Sequence, residues 1–145
     1  MLKNEKKHLS LMIDLKEKML KINFYKKNKE RYAYRYKKED DFDIWLLYNV
    51  FNDFSSPINA FFELIEFVTN KTSGTSCGDL SSLHFDDNNV TIYDRWDEEE
   101  RTLILERSYL LELAKKWREL CEKGVPIITI KRDGETFIIE EGKEE

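Results

Sequence analysis

Residues 83–124 read LHFDDNNVTIYDRWDEEERTLILERSYLLELAKKWRELCEKG, and this stretch decides the fold class. Apolar residues alternate with polar ones on both sides of the turn-forming segment Asp86 to Asn89, which predicts a hairpin. Thr102 to Glu106 predicts a third strand. A helix is expected next, ending at Gly124, because glycine readily adopts the left-handed conformation that ends helices. Its apolar residues at helical spacing are Leu110, Leu113, Ala114, Trp117, Leu120 and Cys121.

The C-terminal residues predict a further hairpin. Ile127 to Lys131 and Thr136 to Ile139 flank Asp133-Gly134, a dipeptide that strongly favours a tight turn. This hairpin is expected to set Arg132 opposite Glu135.

The N-terminal residues predict one helix and one hairpin. Leu9 to Leu20 carries apolar residues at helical spacing among lysines and acids. Lys21 to Tyr25 and Arg31 to Lys37 flank a polar stretch and predict two paired strands. One face of the second strand would carry Tyr32, Tyr34 and Tyr36.

The middle of the chain is less regular. Phe42 to Phe51, FDIWLLYNVF, is apolar on nearly every side, which leaves a central strand and a core helix open; we favour a strand. Ser56 and Pro57 predict the start of a helix, since serine caps helices and proline suits the first turn. Asn70 to Ser82, rich in small polar residues, predicts a surface loop. The inner stripe of the predicted helix is Ile58, Phe61, Ile65 and Val68, with Glu63 and Glu66 outside.

These elements predict an α+β fold, with a mostly antiparallel sheet and two or three packed helices. With 145 residues, of which 41% are hydrophobic, we expect a single domain spanning 1–145. No apolar run approaches the roughly 20 residues that span a bilayer, and the N-terminal residues do not read as a secretory signal. We therefore expect a cytoplasmic protein without a membrane partner. Cys77 and Cys121 fit neither a disulfide framework nor a zinc site, so reduced thiols are expected.

Charge is divided along the chain. Residues 1–38 hold 13 basic and four acidic residues, a balance of +9, whereas the remainder carries −14. The basic segment could fold back onto an acidic body, or the two could form separate faces for different partners. An acidic surface repels nucleic acid and attracts basic protein surfaces.

No residue set carries a specific catalytic chemistry, so we expect a protein that is not an enzyme and uses no metal or cofactor. Cys77 with His84 lacks a third group that would orient the histidine as a base. Asp86 to Asn89 lacks the spacing of a calcium-binding loop. Asp94 and Asp97 to Glu100 crowd five carboxylates around Trp96, which fits either a solvated turn or a docking surface for a basic protein.

The chain resembles the immunity proteins of bacterial polymorphic-toxin and contact-dependent growth inhibition systems. The resemblance covers residues 42–106, where FDIWLLYNVFNDFSSPINAFFELIEF leads to LHFDDNNVTIYDRWDEEE. It implies a protein that binds and neutralises a cognate toxin domain, often a nuclease with a basic substrate groove, through its acidic groups. The residues expected to contact such a partner are Asp86, Asp87, Tyr93, Asp94, Trp96, Asp97, Glu98, Glu99 and Glu100.

An alternative function is suggested by the basic segment 21–38, KINFYKKNKERYAYRYKK. Aromatic residues alternate there with Lys and Arg, a combination that grips single-stranded nucleic acid by base stacking and phosphate neutralisation. The alternative is therefore a nucleic-acid-binding accessory protein. The same tyrosines could equally form a core face of a hairpin.

Overall fold

The computed structural model describes residues 21–27, 32–34, 37, 40–53, 63–66, 69–70 and 73–143. Leu9 to Leu20, Tyr36 and the helix start at Ser56 lie outside the described residues. Residues 63–66 are helical, and there Leu64 is buried while Ile65 is only half-buried. The elements are β1 (Lys21–Lys26), β2 (Tyr32–Ala33), α1 (Phe42–Asp53), β3 (Gly74–Cys77), β4 (Ser81–Phe85), β5 (Asn89–Asp94), β6 (Thr102–Glu106), α2 (Arg107–Lys123), β7 (Ile127–Asp133) and β8 (Thr136–Glu141).

The described strands form two antiparallel sheets. The first has the order β2-β1-β7-β8 and so combines strands from both ends of the chain; the second has the order β3-β4-β5-β6 and follows the sequence. With the helices, this confirms the predicted α+β fold. A single sheet was predicted, whereas the structure has two. They are separate because β6 continues directly into α2, and α2 leads the chain to the strands of the first sheet.

Each sheet contributes one face to a shared core. In the second sheet the register pairs Leu83 with Ile92 and Phe85 with Val90, so these side chains share the buried face. Leu103 and Leu105 of β6 complete it. The first sheet contributes Ile22, Phe24, Ile128, Ile130, Phe137 and Ile139 to the same core cluster.

The prediction of a strand for Phe42 to Phe51 is wrong, because the segment belongs to α1. Asp41 begins the helix: its Oδ1 accepts hydrogen bonds from the backbone N–H groups of Asp43 and Ile44. The helix is apolar on most sides because it contacts β4, β5 and β6 of the second sheet and also β7 of the first. Burial between two sheets removes the one-sided pattern by which a helix is recognised.

Helix α2 also joins the two sheets, contacting β8 of one and β5 and β6 of the other. Trp117 on α2 stacks on Phe51 of α1 with ring centroids 5.2 Å apart. The helix ends as predicted at Gly124, which has a φ of 67°. Both helices and both sheets therefore share one core. No described helix is long and apolar enough to cross a membrane.

The prediction of a loop over Asn70 to Ser82 is also wrong in part. Gly74 to Cys77 forms β3, which pairs with β4, and β4 already begins at Ser81. Small polar residues signal strands poorly, and this edge strand is held by the ladder of its neighbour.

The last hairpin has its predicted position but a different pairing at Arg132. Gly134, with a φ of 62°, and Glu135 form the two-residue turn, so Asp133 faces Thr136 and Arg132 faces Phe137. The predicted opposition of Arg132 and Glu135 is therefore wrong. Arg132 instead contacts the carboxylates of Asp41 and Asp43 at the start of α1.

Candidate functional site

The candidate site is built on the acidic turn, Asp94 to Glu100, which joins β5 to β6. The carboxylate of Asp94 connects this turn to α1. Its Oδ2 accepts a hydrogen bond from the indole Nε1 of Trp45 at 3.2 Å, and its Oδ1 accepts one from the backbone N–H of Trp96 at 2.9 Å. Asp94 is thus a positioning residue of the turn, and its carboxylate is already engaged.

Trp96 is the most exposed large apolar residue of the described part of the chain, with 73% of its surface accessible. Its indole Nε1 donates to the backbone oxygen of Asp79 at 3.1 Å. The neighbouring Arg95 N–H donates to the oxygen of Leu80, and its guanidinium donates to the oxygen of Gly78. These bonds join the acidic turn to residues 78–80, so the exposed indole is held in one place.

Asp97 is buried inside the turn, with a side chain only 7% exposed. Arg101 donates to it from Nε at 3.1 Å, from Nη2 at 3.2 Å and from its backbone N–H at 3.0 Å. The hydrogen bond from the Arg101 side chain lowers the pKa of Asp97 below its usual value. The carboxylate of Asp97 is therefore engaged within the turn, which it stabilises.

The remaining acids of the turn face solvent. Glu98, Glu99 and Glu100 are exposed, and Asp79 lies beside them through its bond to Trp96. Glu99 also pairs with Arg101 at 3.3 Å, an exposed ion pair of little strength. Glu100 has a φ of 52°, a left-handed conformation that is uncommon for a residue with a side chain. The turn thus displays three glutamates within four residues of Trp96, and the exposed Asp79 is joined to the turn through its backbone oxygen.

Asp86 and Asp87 lie at the opposite end of β5. The six residues of β5 separate them from the acidic turn by about 17 Å. The Oδ1 of Asp86 accepts hydrogen bonds from the N–H groups of Asn88 and Asn89, which shapes the turn, while Asp87 is exposed. The acidic residues expected to contact a partner therefore lie at two opposite ends of one sheet.

Tyr93 lies between these ends on the outer face of the second sheet. Its ring packs edge-on against His84, with centroids 5.0 Å apart. The outer face is otherwise formed by uncharged side chains, apart from Glu106 at one end. They are Thr75, Cys77, Ser82, Thr91, Thr102 and Ile104. An uncharged face with acidic ends suits a protein partner better than a polyanion.

Asp79 is the residue of the site that sequence reasoning missed. It was assigned to the predicted surface loop, and its place beside Trp96 depends on the antiparallel pairing of Ser81 with Asp94. The sequence shows an acidic residue just before a predicted strand. Its place beside Trp96, however, follows only from the pairing of β4 with β5.

The basic segment offers less aromatic surface than its sequence suggests. Tyr32 is buried and donates its hydroxyl proton to the Val125 oxygen, and burial raises its pKa to about 12. The Tyr34 hydroxyl donates to Asp40. Tyr25, 53% exposed, lies on the outer face of the first sheet opposite Ile127, whereas Lys21 and Lys131 lie on the same face at the other end of β1.

The residues considered for catalysis have ordinary structural contacts. Cys77 Sγ lies 3.5 Å from the Ser82 hydroxyl, and His84 Nδ1 lies 3.2 Å from the Thr75 hydroxyl. Among the described residues, no group of three His, Cys, Asp or Glu side chains could hold a metal ion.

Comparison of the chain with protein-family models, with curated proteins and with solved structures finds no match.

Proposed function

We propose that this protein is a non-enzymatic immunity protein that binds and neutralises a cognate toxin domain of the nuclease class. The observation that carries the proposal is Trp96, an exposed indole that is held by a hydrogen bond and lies in a turn with three exposed glutamates. The protein would act in the bacterial cytoplasm, where a toxin domain reaches its substrate.

Trp96 has the features of an interface anchor. Tryptophan is enriched among residues that dominate binding energy, because it buries a large area with few rotatable bonds. The bond from its Nε1 to Asp79 fixes the ring before a partner arrives, which lowers the entropy lost on binding. Tyr93, packed on His84, would extend the contact along the sheet.

The carboxylates supply the charge that a basic groove recognises. Asp79, Glu98 and Glu100 are exposed; Glu98 and Glu100 belong to the same turn as Trp96, and the backbone oxygen of Asp79 accepts the hydrogen bond of its indole. In a nuclease groove, they would occupy the positions of substrate phosphates and pair with the Lys and Arg residues that bind them. Such pairs speed association at low salt and add most to affinity when the interface removes water from them.

The test is charge reversal with a matched control. Glu98→Lys/Glu99→Lys/Glu100→Lys and a control variant with Glu112→Lys/Glu135→Lys/Glu141→Lys change the net charge equally, and all six glutamates are exposed. Each is assayed for binding to the partner toxin, identified by co-purification from the native host, at low and high salt. We expect the first variant to associate more slowly and its association rate to depend less on salt. The control should keep the association rate and the salt dependence of the wild type.

Trp96→Ala tests the anchor separately. A central tryptophan contributes about 2 kcal/mol or more to an interface, so affinity should fall roughly 30-fold. Unchanged affinity in both Trp96→Ala and the triple reversal would contradict the docking assignment.

The alternative function, nucleic-acid binding, is favoured by the exposed Tyr25, which shares the outer face of the first sheet with Lys21 and Lys131 at the other end of β1. It predicts salt-sensitive binding of single-stranded RNA or DNA that weakens on Tyr25→Ala, since an unstacked base loses about 1–3 kcal/mol. Ile138→Ala on the same outer face serves as the control. Binding that is equal in both variants would reject this alternative.

A further inference from the structure

The outer face of the second sheet carries no charged side chain between its two ends. Two neighbouring rows of side chains cross its strands in register: Thr75, His84, Thr91 and Ile104, then Cys77, Ser82, Tyr93 and Thr102. Five of these eight residues are exposed and three are half-buried, so the face is open to solvent. None of them is Lys, Arg, Asp or Glu, although these four residue types make up 37% of the chain.

The outer face of the first sheet has a different composition. Lys21 and Lys131 lie opposite each other on it, and Glu140 lies opposite Thr129. Charged side chains in such positions are usual where an antiparallel sheet faces water. At the core of a protein interface, by contrast, charged residues are depleted and the polar groups lie at the rim. The outer face of the second sheet therefore has the composition of an interface core.

Ile104 and Tyr93 give this face apolar area that a partner can bury. Ile104 is 61% exposed and lies opposite Thr91 of the neighbouring strand. Tyr93 lies two residues further along that strand, and its ring packs edge-on against His84. An exposed aliphatic side chain beside a supported aromatic ring is the kind of contact that contributes binding energy at the centre of an interface.

Both ends of the face are negatively charged. At the end of the acidic turn, residues 78–80 and 94–101 hold six carboxylates and the guanidinium groups of Arg95 and Arg101. Both guanidinium groups donate locally, to the Gly78 oxygen and to the carboxylate of Asp97. The far end holds a smaller acidic group: the exposed residues Asp86, Asp87 and Glu106.

The described cation nearest to the far end does not neutralise its surface. Arg107 is only 3% exposed, and its guanidinium donates to the backbone oxygen of Asp86 at 2.7 Å. The register places Glu106 opposite Asn89, on the same outer face as Ile104. An uncharged centre thus lies between two acidic ends that are about 17 Å apart along β5.

We propose that the outer face of the second sheet and its two acidic ends form one docking surface for a basic protein partner, with Lys or Arg residues on both sides of an uncharged centre. The cations of the partner meet the acidic turn at one end and Asp87 and Glu106 at the other. A second copy of this face does not fit, because stacking the two faces would bring acidic ends together, and nucleic acid is repelled for the same reason. The inference deepens the proposed function and rests on its docking role for the acidic turn, but not on the partner being a nuclease.

The test uses two synthetic helical peptides as probes, since about 12 residues of α-helix span the distance between the ends. The two-ended peptide carries two lysines at each end of an uncharged segment, and its isomer carries all four lysines at one end. Binding to the full chain is followed by NMR chemical-shift titration at low salt. We expect the two-ended peptide to bind about threefold more tightly than its isomer, because it engages both acidic ends. It should shift the amide signals of the acidic turn, Ile104 and Asp87 together.

Matched neutralisations separate the two ends. Three double variants each remove two exposed charges: Glu98→Gln/Glu100→Gln, Asp87→Asn/Glu106→Gln and the control Glu112→Gln/Glu135→Gln. The first two should each weaken binding of the two-ended peptide about threefold, and the control should not. Ile104→Lys places a cation in the uncharged centre and should also weaken binding. Ile138→Lys, at an exposed isoleucine of the first sheet, adds the same charge and should bind as the wild type does.

The outcomes distinguish this inference from the proposed function. Weaker binding in the turn variant alone, with no effect of Asp87→Asn/Glu106→Gln or of Ile104→Lys, would overturn the inference and leave the docking role of the turn intact. No effect of the turn variant would contradict both. Equal affinity of the two isomers, or no binding of the two-ended peptide at several hundred micromolar, would also overturn the inference. Concentration-dependent shifts across the face without peptide would assign it to a second copy instead.

Discussion

The carboxylate of Asp53 accepts two hydrogen bonds from Ser81, one from the backbone N–H at 2.8 Å and one from the hydroxyl at 2.6 Å. It also accepts the N–H of Leu80 at 3.2 Å. Asp53 ends α1, and Ser81 begins β4 and is fully buried. This contact ties the helix to the segment whose Asp79 oxygen holds Trp96, so it links the core to the candidate site.

Asp53→Ala should lower the free energy of unfolding by about 2 kcal/mol. The substitution removes hydrogen bonds to a charged acceptor and leaves the buried N–H and hydroxyl of Ser81 without this partner. Asp53→Asn keeps one acceptor oxygen and should cost less. Urea unfolding measures both. If Asp53→Ala costs no more than Asp53→Asn, the carboxylate does not have this role.

Gly78→Ala should destabilise the protein through the same carboxylate. A Cβ atom at residue 78 would lie 2.3 Å from Asp53 Oδ2, closer than nonbonded atoms approach. Because Asp53 Cβ also lies 2.6 Å from that position, only an Asp53→Gly background removes the obstacle, and there we expect the cost of Gly78→Ala to fall sharply. Equal costs in the two backgrounds would place the strain elsewhere.

Asn49→Leu should stabilise the protein by about 1 kcal/mol. Asn49 is 1% exposed, and within the described part of the chain neither its amide nitrogen nor its amide oxygen has a hydrogen-bond partner. An apolar side chain of similar length removes that desolvation penalty. The gain is measured as a higher urea midpoint with an unchanged slope; Asn49→Asp is the control and should destabilise.

Asp97 should make the stability of the turn depend on pH. Because its hydrogen bond from Arg101 lowers the pKa of the folded state, the stabilisation is fully present above the ordinary aspartate pKa of about 4. It is lost as the pH falls through the lower pKa of the folded protein. The stability difference between wild type and Asp97→Asn should therefore be constant above about pH 5 and shrink toward pH 3. A difference that stays constant to pH 3 would contradict the assignment.

The two thiols should differ in reactivity. Cys77 is exposed on β3, whereas Cys121 is half-buried and burial raises its pKa to about 11. Only the thiolate is nucleophilic, so at pH 8 a thiol reagent should modify Cys77 at least about tenfold faster. Cys77→Ser should abolish the fast phase, and unfolding in urea should expose Cys121 to the reagent. A fast phase that persists in Cys77→Ser would show that Cys121 is accessible.

The local alternation of apolar and polar residues was enough to predict the elements that follow a simple period. The alternation around Asp86 to Asn89, the helix ending at Gly124 and the turn at Gly134 all have their predicted places. Helix α1 was mistaken for a strand because packing between two sheets makes it apolar on most sides. Its length of 12 residues and the capping Asp41 were the signals that favoured a helix.

The sequence by itself determined the α+β class, the strong acidic character of residues 94–100 and the exposure of Glu63 and Glu66, since these follow from composition and local periodicity. Only the tertiary structure decided which carboxylates remain available. Asp94 and Asp97 bond to Trp45 and Arg101, while Asp79 joins Trp96 from a separate turn. Hydrogen-bond partners of this kind come from strand register and sheet order, which bring together residues that are distant in the chain.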